Sequence, residues 1–219
     1  MPLTVPTMEE ELRTALFGGI VVCGGKSRRM GSDKARLALD GRSFLERASG
    51  LLGERCGRVV LACGPVERYA DAGLPLVLDE VPDGGPLAGI AAGLAALDTA
   101  YAVVLPLDMP RVSLAVIGEL QARAQAEELD VLFLASERGI EPLCAVYGRA
   151  ALPAMRRALL AGDRKVTSFL RPEHKGDGLR VGELPLTELR QRGVAPDCLE
   201  NVNTPQDLAR VRDRQGDER

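Results

Sequence analysis

Short apolar runs bounded by glycine, proline and aspartate alternate with longer stretches of helical character along most of the chain. Residues 20–23 are β-branched and apolar, entered from Gly18-Gly19 and left through Gly24-Gly25, which predicts a buried strand followed by a glycine-rich loop. Residues 59–63, 74–78 and 102–107 repeat the pattern; the first stops at Gly64-Pro65 and the other two run into Asp79 and Asp108. Between the strands, Ser43 with Glu46 three residues on predicts a capping box at a helix start. Residues 86–97 form an Ala/Leu-rich helical stretch in which Gly89 and Gly93 would let a neighbouring backbone approach closely, and residues 113–127 predict another helix. Residues 131–135 are one more buried run. Strands that are apolar throughout and alternate with helices predict an α/β fold, a Rossmann-like three-layer α/β/α sandwich with a mostly parallel central sheet.

The last third reads differently. Residues 142–147 are strand-like, 150–160 helical, 166–170 a short helix and 181–184 a further strand. Thr204-Pro205 places an N-cap and an N1 proline before a closing helix that ends near Arg212. No linker rich in proline, serine or glycine sets this part off, so it extends the same domain. The charged residues after Arg214 predict a frayed end.

Composition narrows the chemistry. The 219 residues suffice for a full core without disulfide or metal staples. The net charge of −3 gives no basic face for nucleic acid, and with no Trp and seven Phe or Tyr there is little for bases to stack on. No apolar run reaches membrane-span length, and Glu9-Glu10-Glu11 stands where a signal peptide would carry basic residues, so a cytoplasmic protein is expected. The five cysteines are scattered without a Cys-x-x-Cys pair and read as reduced, mostly buried thiols. His174, the single histidine, lies in a polar stretch and reads as a solvated loop residue. What remains for chemistry is carboxylates, lysine, arginine, backbone amides and an added hard metal.

The loop after the first strand concentrates these groups. From Gly24 to Arg36 five basic residues stand against one acidic, a local charge of +4. Glycines at the carboxyl end of a strand let backbone N–H groups turn toward an anion, and clustered cations suit a triphosphate. Gly25 and Gly31 are six apart and are followed by Ser32-Asp33, so the loop is not a Walker A sequence; nor is it Gly-x-Gly-x-x-Gly. Asp79 and Asp108, each just past an apolar strand, would share a sheet edge with Gly24-Gly25, where ligands of open parallel sheets bind. A carboxylate there can hold Mg²⁺ together with substrate phosphates and water. Each aspartate taken singly would read as a turn residue or N-cap.

Val22-Cys23-Gly24-Gly25, Ser27-Arg28-Arg29-Met30-Gly31 and Asp33-Lys34 resemble the signature loop of the MobA-type nucleotidyltransferases. The resemblance continues through Gly85-Pro86-Leu87-Ala88-Gly89, Leu107-Asp108-Met109-Pro110, Glu141-Pro142-Leu143 with Tyr147, Gly162-Asp163-Arg164-Lys165 and Asn201-Val202-Asn203-Thr204-Pro205. These blocks keep family order over about residues 19–211. The first loop is shared with cytidylyl- and sugar-nucleotide transferases, whereas Asn-x-Asn-Thr-Pro is more particular to the molybdenum cofactor guanylyltransferases.

The resemblance implies a polar tail over residues 1–16, one nucleotidyltransferase domain over 17–214 (nucleotide half about 17–135, acceptor half about 136–214) and a frayed end at 215–219. It implies GMP transfer from GTP to the terminal phosphate of molybdopterin, giving molybdopterin guanine dinucleotide and pyrophosphate. In that reading Val22, Cys23, Gly24, Gly25, Lys34, Asp79 and Asp108 bind GTP, Asp108 holds Mg²⁺, and Lys34, Arg29 and Asp108 are catalytic. Asn201 and Asn203 face the acceptor. Arg164 and Lys165 meet the acceptor phosphate or form a solvated helix start, and Thr204 caps the last helix through Asp207. The implied protein partners are a donor of the cofactor and the apo-molybdoenzymes, or their chaperones, that receive it. Two departures stand out: Cys23 replaces the usual Ala, and Leu61-Ala62-Cys63 lacks an Asn that some members place near the end of the second strand. Gly24 matches the guanylyl members, whereas CTP users tend to carry Ala. Alternatives are CTP on molybdopterin, an NTP on a sugar 1-phosphate, or a non-catalytic carrier of GTP or cofactor. The acceptor phosphomonoester is largely dianionic at neutral pH, so a chain with one histidine needs no general base for this reaction.

Overall fold

A computed structural model of the chain describes residues 7, 12, 14–24, 33–176 and 178–216. Most of the expected N-terminal tail, the loop residues Gly25 and Arg29, and residues 217–219 lie outside the described residues. The strands are β1 (Phe17–Val22), β2 (Ala38–Leu39), β3 (Arg42–Ser43), β4 (Val59–Ala62), β5 (Leu76–Val77), β6 (Tyr101–Pro106), β7 (Val131–Ser136), β8 (Gly139–Gly148) and β9 (Val181–Pro185). The helices are α1 (Phe44–Gly53), α2 (Gly85–Ala96), α3 (Leu114–Ala126), α4 (Leu152–Leu160), α5 (Pro172–Lys175), α6 (Leu186–Gln191) and α7 (Pro205–Gly216).

Seven strands form one sheet in the order β5-β4-β1-β6-β8-β7-β9, and β2 with β3 makes a separate hairpin. β5, β4, β1 and β6 are parallel, as are β7 and β9; among the described residues β8 alone runs against the rest, paired with both β6 and β7. Residues 136–214 therefore contribute strands to the same sheet as residues 17–135. Successive residues of the central strands point to opposite layers: in β4, Val59 and Leu61 join one apolar cluster while Val60 and Ala62 join the other. Helices α1, α3 and α6 cover the first layer, and α2 with α4 covers the second. That is the three-layer arrangement expected from the pattern.

Local chemistry explains the element starts. Ser43 Oγ accepts from the Glu46 amide and Glu46 returns a bond to the Ser43 amide, completing the capping box at α1. In α2, a Cβ on Gly93 would lie 2.6 Å from Ile20, and one on Gly89 would lie 3.2 Å from Ala62, so the helix packs closely on β1 and β4. Thr204 Oγ1 accepts from the Asp207 amide, and the Asp207 carboxylate accepts from the amides of Asn203 and Thr204. Thr204 is thus the cap expected of it. A third small cluster of Leu39, Phe44, Val202, Leu208 and Val211 fixes α7 to the start of α1.

Three expectations are corrected. The third strand is only Leu76–Val77, because Leu74 and Leu78 flank it outside the ladder. β8 is longer than residues 142–147, extending through a hairpin at Gly139 and a register shift opposite Phe133 and Leu134. His174 is not a solvated loop residue: it is buried on α5, its ring nitrogen 2.8 Å from Asp163 Oδ2 while Arg157 donates to its carbonyl. A polar residue can be buried when its partners go with it, and Asp163 and Arg157 serve here. The bond from His174, with Arg171 nearby, holds the Asp163 carboxyl below the usual aspartate range.

Candidate active site

The chemistry gathers where the parallel strands end. Cys23 and Gly24 follow β1, Cys63 and Gly64 follow β4, Asp79 follows β5 and Asp108 follows β6. The amides of Cys23 and Gly24 both donate to the Ala62 carbonyl, and the Asp79 amide donates to Gly64 O, so the exits of three neighbouring strands are tied side by side. A Cβ on Gly24 would meet the Gly64 nitrogen at 3.0 Å and other backbone atoms of residues 63 and 64 at 3.3 Å. Backbone packing therefore favours glycine there, apart from any contact with a nucleotide. Cys23 and Cys63 place their sulfurs 3.5 Å apart as free, buried thiols. The hydrogen bond with Cys63, and then burial, push the Cys23 thiol far up.

A cleft of about 210 Å³ is lined by Val22, Cys23, Gly24, Asp33, Lys34, Tyr69, Pro86, Asp108 and Leu143. Lys34 opens the three-residue 3₁₀ turn Lys34–Arg36, which Asp33 caps by accepting from the Ala35 amide at 3.1 Å. The Lys34 Nζ donates to Asn203 Oδ1 at 2.8 Å and stands 3.6 Å from Asp108 Oδ2. Asn203 is brought there by a backbone bond, from the Val202 amide to the Asp108 carbonyl at 2.8 Å. Asn201 and Asn203 also line a second, larger cleft of about 820 Å³, with Glu141, Glu183, Arg190 and Asp207 among its walls. Lys34 therefore stands at the seam between two clefts.

Asp79 is half-buried, and its Oδ1 is buried without a hydrogen-bond partner. Burial raises its carboxyl above the usual aspartate value. A carboxylate oxygen kept out of water and left unpaired is a costly arrangement that a ligand N–H or O–H would relieve. Among the described residues no cluster of three or more histidine, cysteine or carboxylate side chains is arranged to hold a metal.

Of the expected site residues, Val22, Cys23, Gly24, Lys34 and Asp108 share the smaller cleft, Asp79 is tied to the same edge, Asn203 reaches it through its bond to Lys34, and Asn201 lines the larger cleft. Gly25 and Arg29 lie outside the described residues. Arg164 and Lys165 line neither cleft. The Arg164 guanidinium instead donates to the carbonyls of Pro82 and Asp83, and the Lys165 carbonyl accepts from Ser168. Arg164 braces the loop that leads into α2.

Two site residues had no assigned role in the sequence. Glu141 is raised by burial and by the nearby Asp108 charge, which puts a second carboxylate beside Asp108. Tyr69 reaches into the smaller cleft from the loop after β4. Glu141 could have been suspected as a charge at the edge of an apolar strand; Tyr69 carried no such signal.

A family described as the MobA-like NTP transferase domain matches residues 19–178. A protein of Chloroflexus aggregans named probable molybdenum cofactor guanylyltransferase is 35% identical over 201 residues, covering 90% of this chain and 93% of the relative. A molybdenum cofactor guanylyltransferase of Desulfosudis oleivorans is 32% identical over 196 residues, covering 88% and 93%. Among solved structures, the molybdopterin-guanine dinucleotide biosynthesis protein A of Archaeoglobus fulgidus superposes with a TM-score of 0.76 at 27% identity, covering 91% of this chain and 99% of that one. The 2-C-methyl-D-erythritol 4-phosphate cytidylyltransferase of Thermus thermophilus, at 15% identity and a TM-score of 0.62 over 90% and 97% of the two chains, shares the fold. With a family model matching residues 19–178 and relatives above 30% identity over most of its length, the chain belongs to the MobA-like NTP transferase family.

Proposed function

We propose that this protein transfers GMP from GTP to the terminal phosphate of molybdopterin, yielding molybdopterin guanine dinucleotide and pyrophosphate. The observation that carries the reading is the position of Lys34, bonded to Asn203 on the rim of the larger cleft and paired with Asp108 in the smaller one. A cation at that seam can touch both the acceptor phosphate and the α-phosphoryl group. The names of the relatives support guanylyl transfer to a molybdenum cofactor. The unpaired Asp79 oxygen supports a nucleotide that brings hydrogen-bond donors, as guanine does through its N1–H and amino group.

An oxygen of the acceptor phosphate attacks the α-phosphorus of GTP and forms the new P–O bond. The bond from that phosphorus to the α–β bridging oxygen breaks, and pyrophosphate leaves with the electron pair. The nucleophile is already anionic, so the protein's task is to hold two polyanions in line and offset their charge. Lys34 supplies charge at the point of attack. Asn203 orients Lys34 through its side-chain oxygen, which leaves its amide donors for the acceptor.

Magnesium belongs to the proposal, with Asp108 as its protein ligand. One or two carboxylates, completed by phosphate oxygens and water, are the donor set that Mg²⁺ takes in nucleotide sites. When bound, the ion would offset charge on the α-phosphoryl group and the departing pyrophosphate. The proposed setting is the cytoplasm, with a donor of molybdopterin and recipient molybdoenzymes as protein partners; no helix among the described residues is long and apolar enough to cross a membrane.

Pyrophosphate release with Mg²⁺ and molybdopterin, compared across GTP, CTP, ATP and UTP, tests the reading. Acceptor-dependent release that strongly favours GTP is expected. A preference for CTP would overturn the guanylyl assignment, and GTP binding with no release would make the protein a carrier.

A further inference from the structure

We infer that Tyr69 is a positioning residue for Lys34, acting through Asp33 as one half of a two-point clasp between the loop after β4 and the turn that carries Lys34. The inference rests on the role proposed above for Lys34. The Tyr69 hydroxyl donates to Asp33 Oδ1 at 2.8 Å, and that same oxygen accepts from the Ala35 amide at 3.1 Å. One carboxylate oxygen thus receives both the cap of the turn and a tether from a residue 36 positions away. The second point is an ion pair. Arg36, at the other end of the turn, donates through two nitrogens to the two carboxylate oxygens of Asp71, at 3.0 and 3.1 Å. Asp71 sits in the short turn Ala70–Ala72 that begins directly after Tyr69. The two turns face one another and grip at both ends.

The backbone of Tyr69 bears the cost of this arrangement. Its φ of 62° and ψ of 32° are left-handed, a conformation that a bulky residue adopts only under constraint. Such strain commonly marks a place where a side chain must be aimed. Here it directs the ring into the nucleotide cleft, buried, with its hydroxyl on Asp33. Burial, and next the bond to Asp33, push the phenol far above its ordinary value, so it stays protonated and remains a donor at any working pH. The two grips differ in weight. The Arg36–Asp71 pair is solvent-exposed, with both side chains more than 60% accessible at 63% and 64%, and contributes little alone. The tyrosine bond is sheltered and holds the carboxylate that shapes the turn.

Two measurements test the clasp and keep it separable from the role of Lys34. The first is amide exchange at Ala35, Arg36 and Leu37, whose N–H groups are protected by bonds within the turn. In Tyr69→Phe, exchange there should quicken by roughly tenfold while the amide of Phe44 stays unchanged. The exposed Asp71→Asn variant should give a smaller change at the same three amides. Unchanged exchange in Tyr69→Phe overturns the clasp, whatever Lys34 does.

The second is a cycle of wild type, Tyr69→Phe, Lys34→Gln and the double variant, read as pyrophosphate release at saturating GTP and molybdopterin. Tyr69→Phe should lower kcat by about tenfold and leave KM for GTP within about twofold, and in the Lys34→Gln background it should cost less than about twofold. Additive losses, or a rise in KM for GTP at constant kcat, would make Tyr69 a direct nucleotide contact and overturn the positioning role. A Lys34→Gln enzyme with the wild-type rate, alongside faster exchange in Tyr69→Phe, would retain the clasp and overturn the role of Lys34.

Discussion

The Lys34 ammonium and the Asn203 side-chain oxygen meet at 2.8 Å across 169 residues of sequence, joining the turn after the glycine loop to the segment that precedes the last helix. Lys34 has one neutral partner and one anionic partner, Asp108 at 3.6 Å, and is only 15% exposed. Asn203→Ala removes the neutral partner and leaves the ammonium free to swing toward Asp108. A hydrogen bond to a charged group contributes about 1.5–3 kcal/mol, so kcat should fall by about 10- to 100-fold. KM for GTP should change by about twofold or less, since the bond lies on the acceptor side. Steady-state kinetics varying GTP and molybdopterin separately checks this; a loss confined to GTP affinity would move Asn203 to the nucleotide side.

Asp108→Asn should separate binding from turnover. The side chain keeps its shape but loses the charge that pairs Lys34 and would hold a metal. Turnover should drop by on the order of 10²- to 10³-fold, the scale of removing one electrostatic group from a charge-stabilising site. GTP binding measured calorimetrically without Mg²⁺ should hold or strengthen, because a negative charge facing the triphosphate is gone. An enzyme retaining its rate would exclude Asp108 from the reaction.

Gly24→Ala tests whether the tight strand exits matter for the nucleotide. The new methyl would press on the Gly64 nitrogen at 3.0 Å, and every close neighbour is backbone that cannot rotate away. The β1 and β4 exits must part, at a cost of about 1–3 kcal/mol. The melting temperature should fall by several degrees and GTP affinity should weaken with it. A melt lowered without any change in GTP affinity would take the Gly24 backbone out of the nucleotide site.

Asp79→Asn should stabilise the protein while weakening its ligand. Burial raises the Asp79 carboxyl, so the folded chain holds that proton more tightly than the unfolded chain. Between the usual aspartate value and the raised one, its contribution to stability falls as pH rises, and the penalty is complete above that window. Removing the charge should add on the order of 1 kcal/mol near neutrality, or about 2–4 °C in melting temperature. The gain should vanish in acid, where both proteins are neutral at that position. GTP affinity should fall by about 10- to 100-fold as a charged, two-oxygen acceptor for the base becomes a neutral amide with one acceptor oxygen. Melting curves across the acid range with parallel GTP titrations check both halves.

Much of this was legible because it is local. The apolar strands, the Ser43 and Thr204 caps and the strand-end position of Asp108 each follow from a few adjacent residues whose chemistry has one favoured outcome. The antiparallel course of β8 was not legible, since a strand of ten residues carries no mark of direction. His174 was misread because its polar neighbours suggested water, whereas its partner Asp163 lies beyond a turn and a 3₁₀ helix. Arg164 stood open between a phosphate contact and a solvated helix start, and only the path of the Pro82–Asp83 loop shows which carbonyls it meets. The Cys23–Cys63 contact and the Tyr69–Asp33 bond join residues 40 and 36 positions apart, and nothing in either stretch announces the other.

The bond from the Val202 amide to the Asp108 carbonyl also has a meaning in time. The strands β1, β4, β5 and β6, with every residue that lines the smaller cleft, are synthesised before residue 150. Lys34 nevertheless acquires its Asn203 partner only when residues 201–203 emerge and dock on the carbonyl of Asp108. The contact that completes the setting of Lys34 is thus the last of the site's parts to be made, after every residue that lines the smaller cleft.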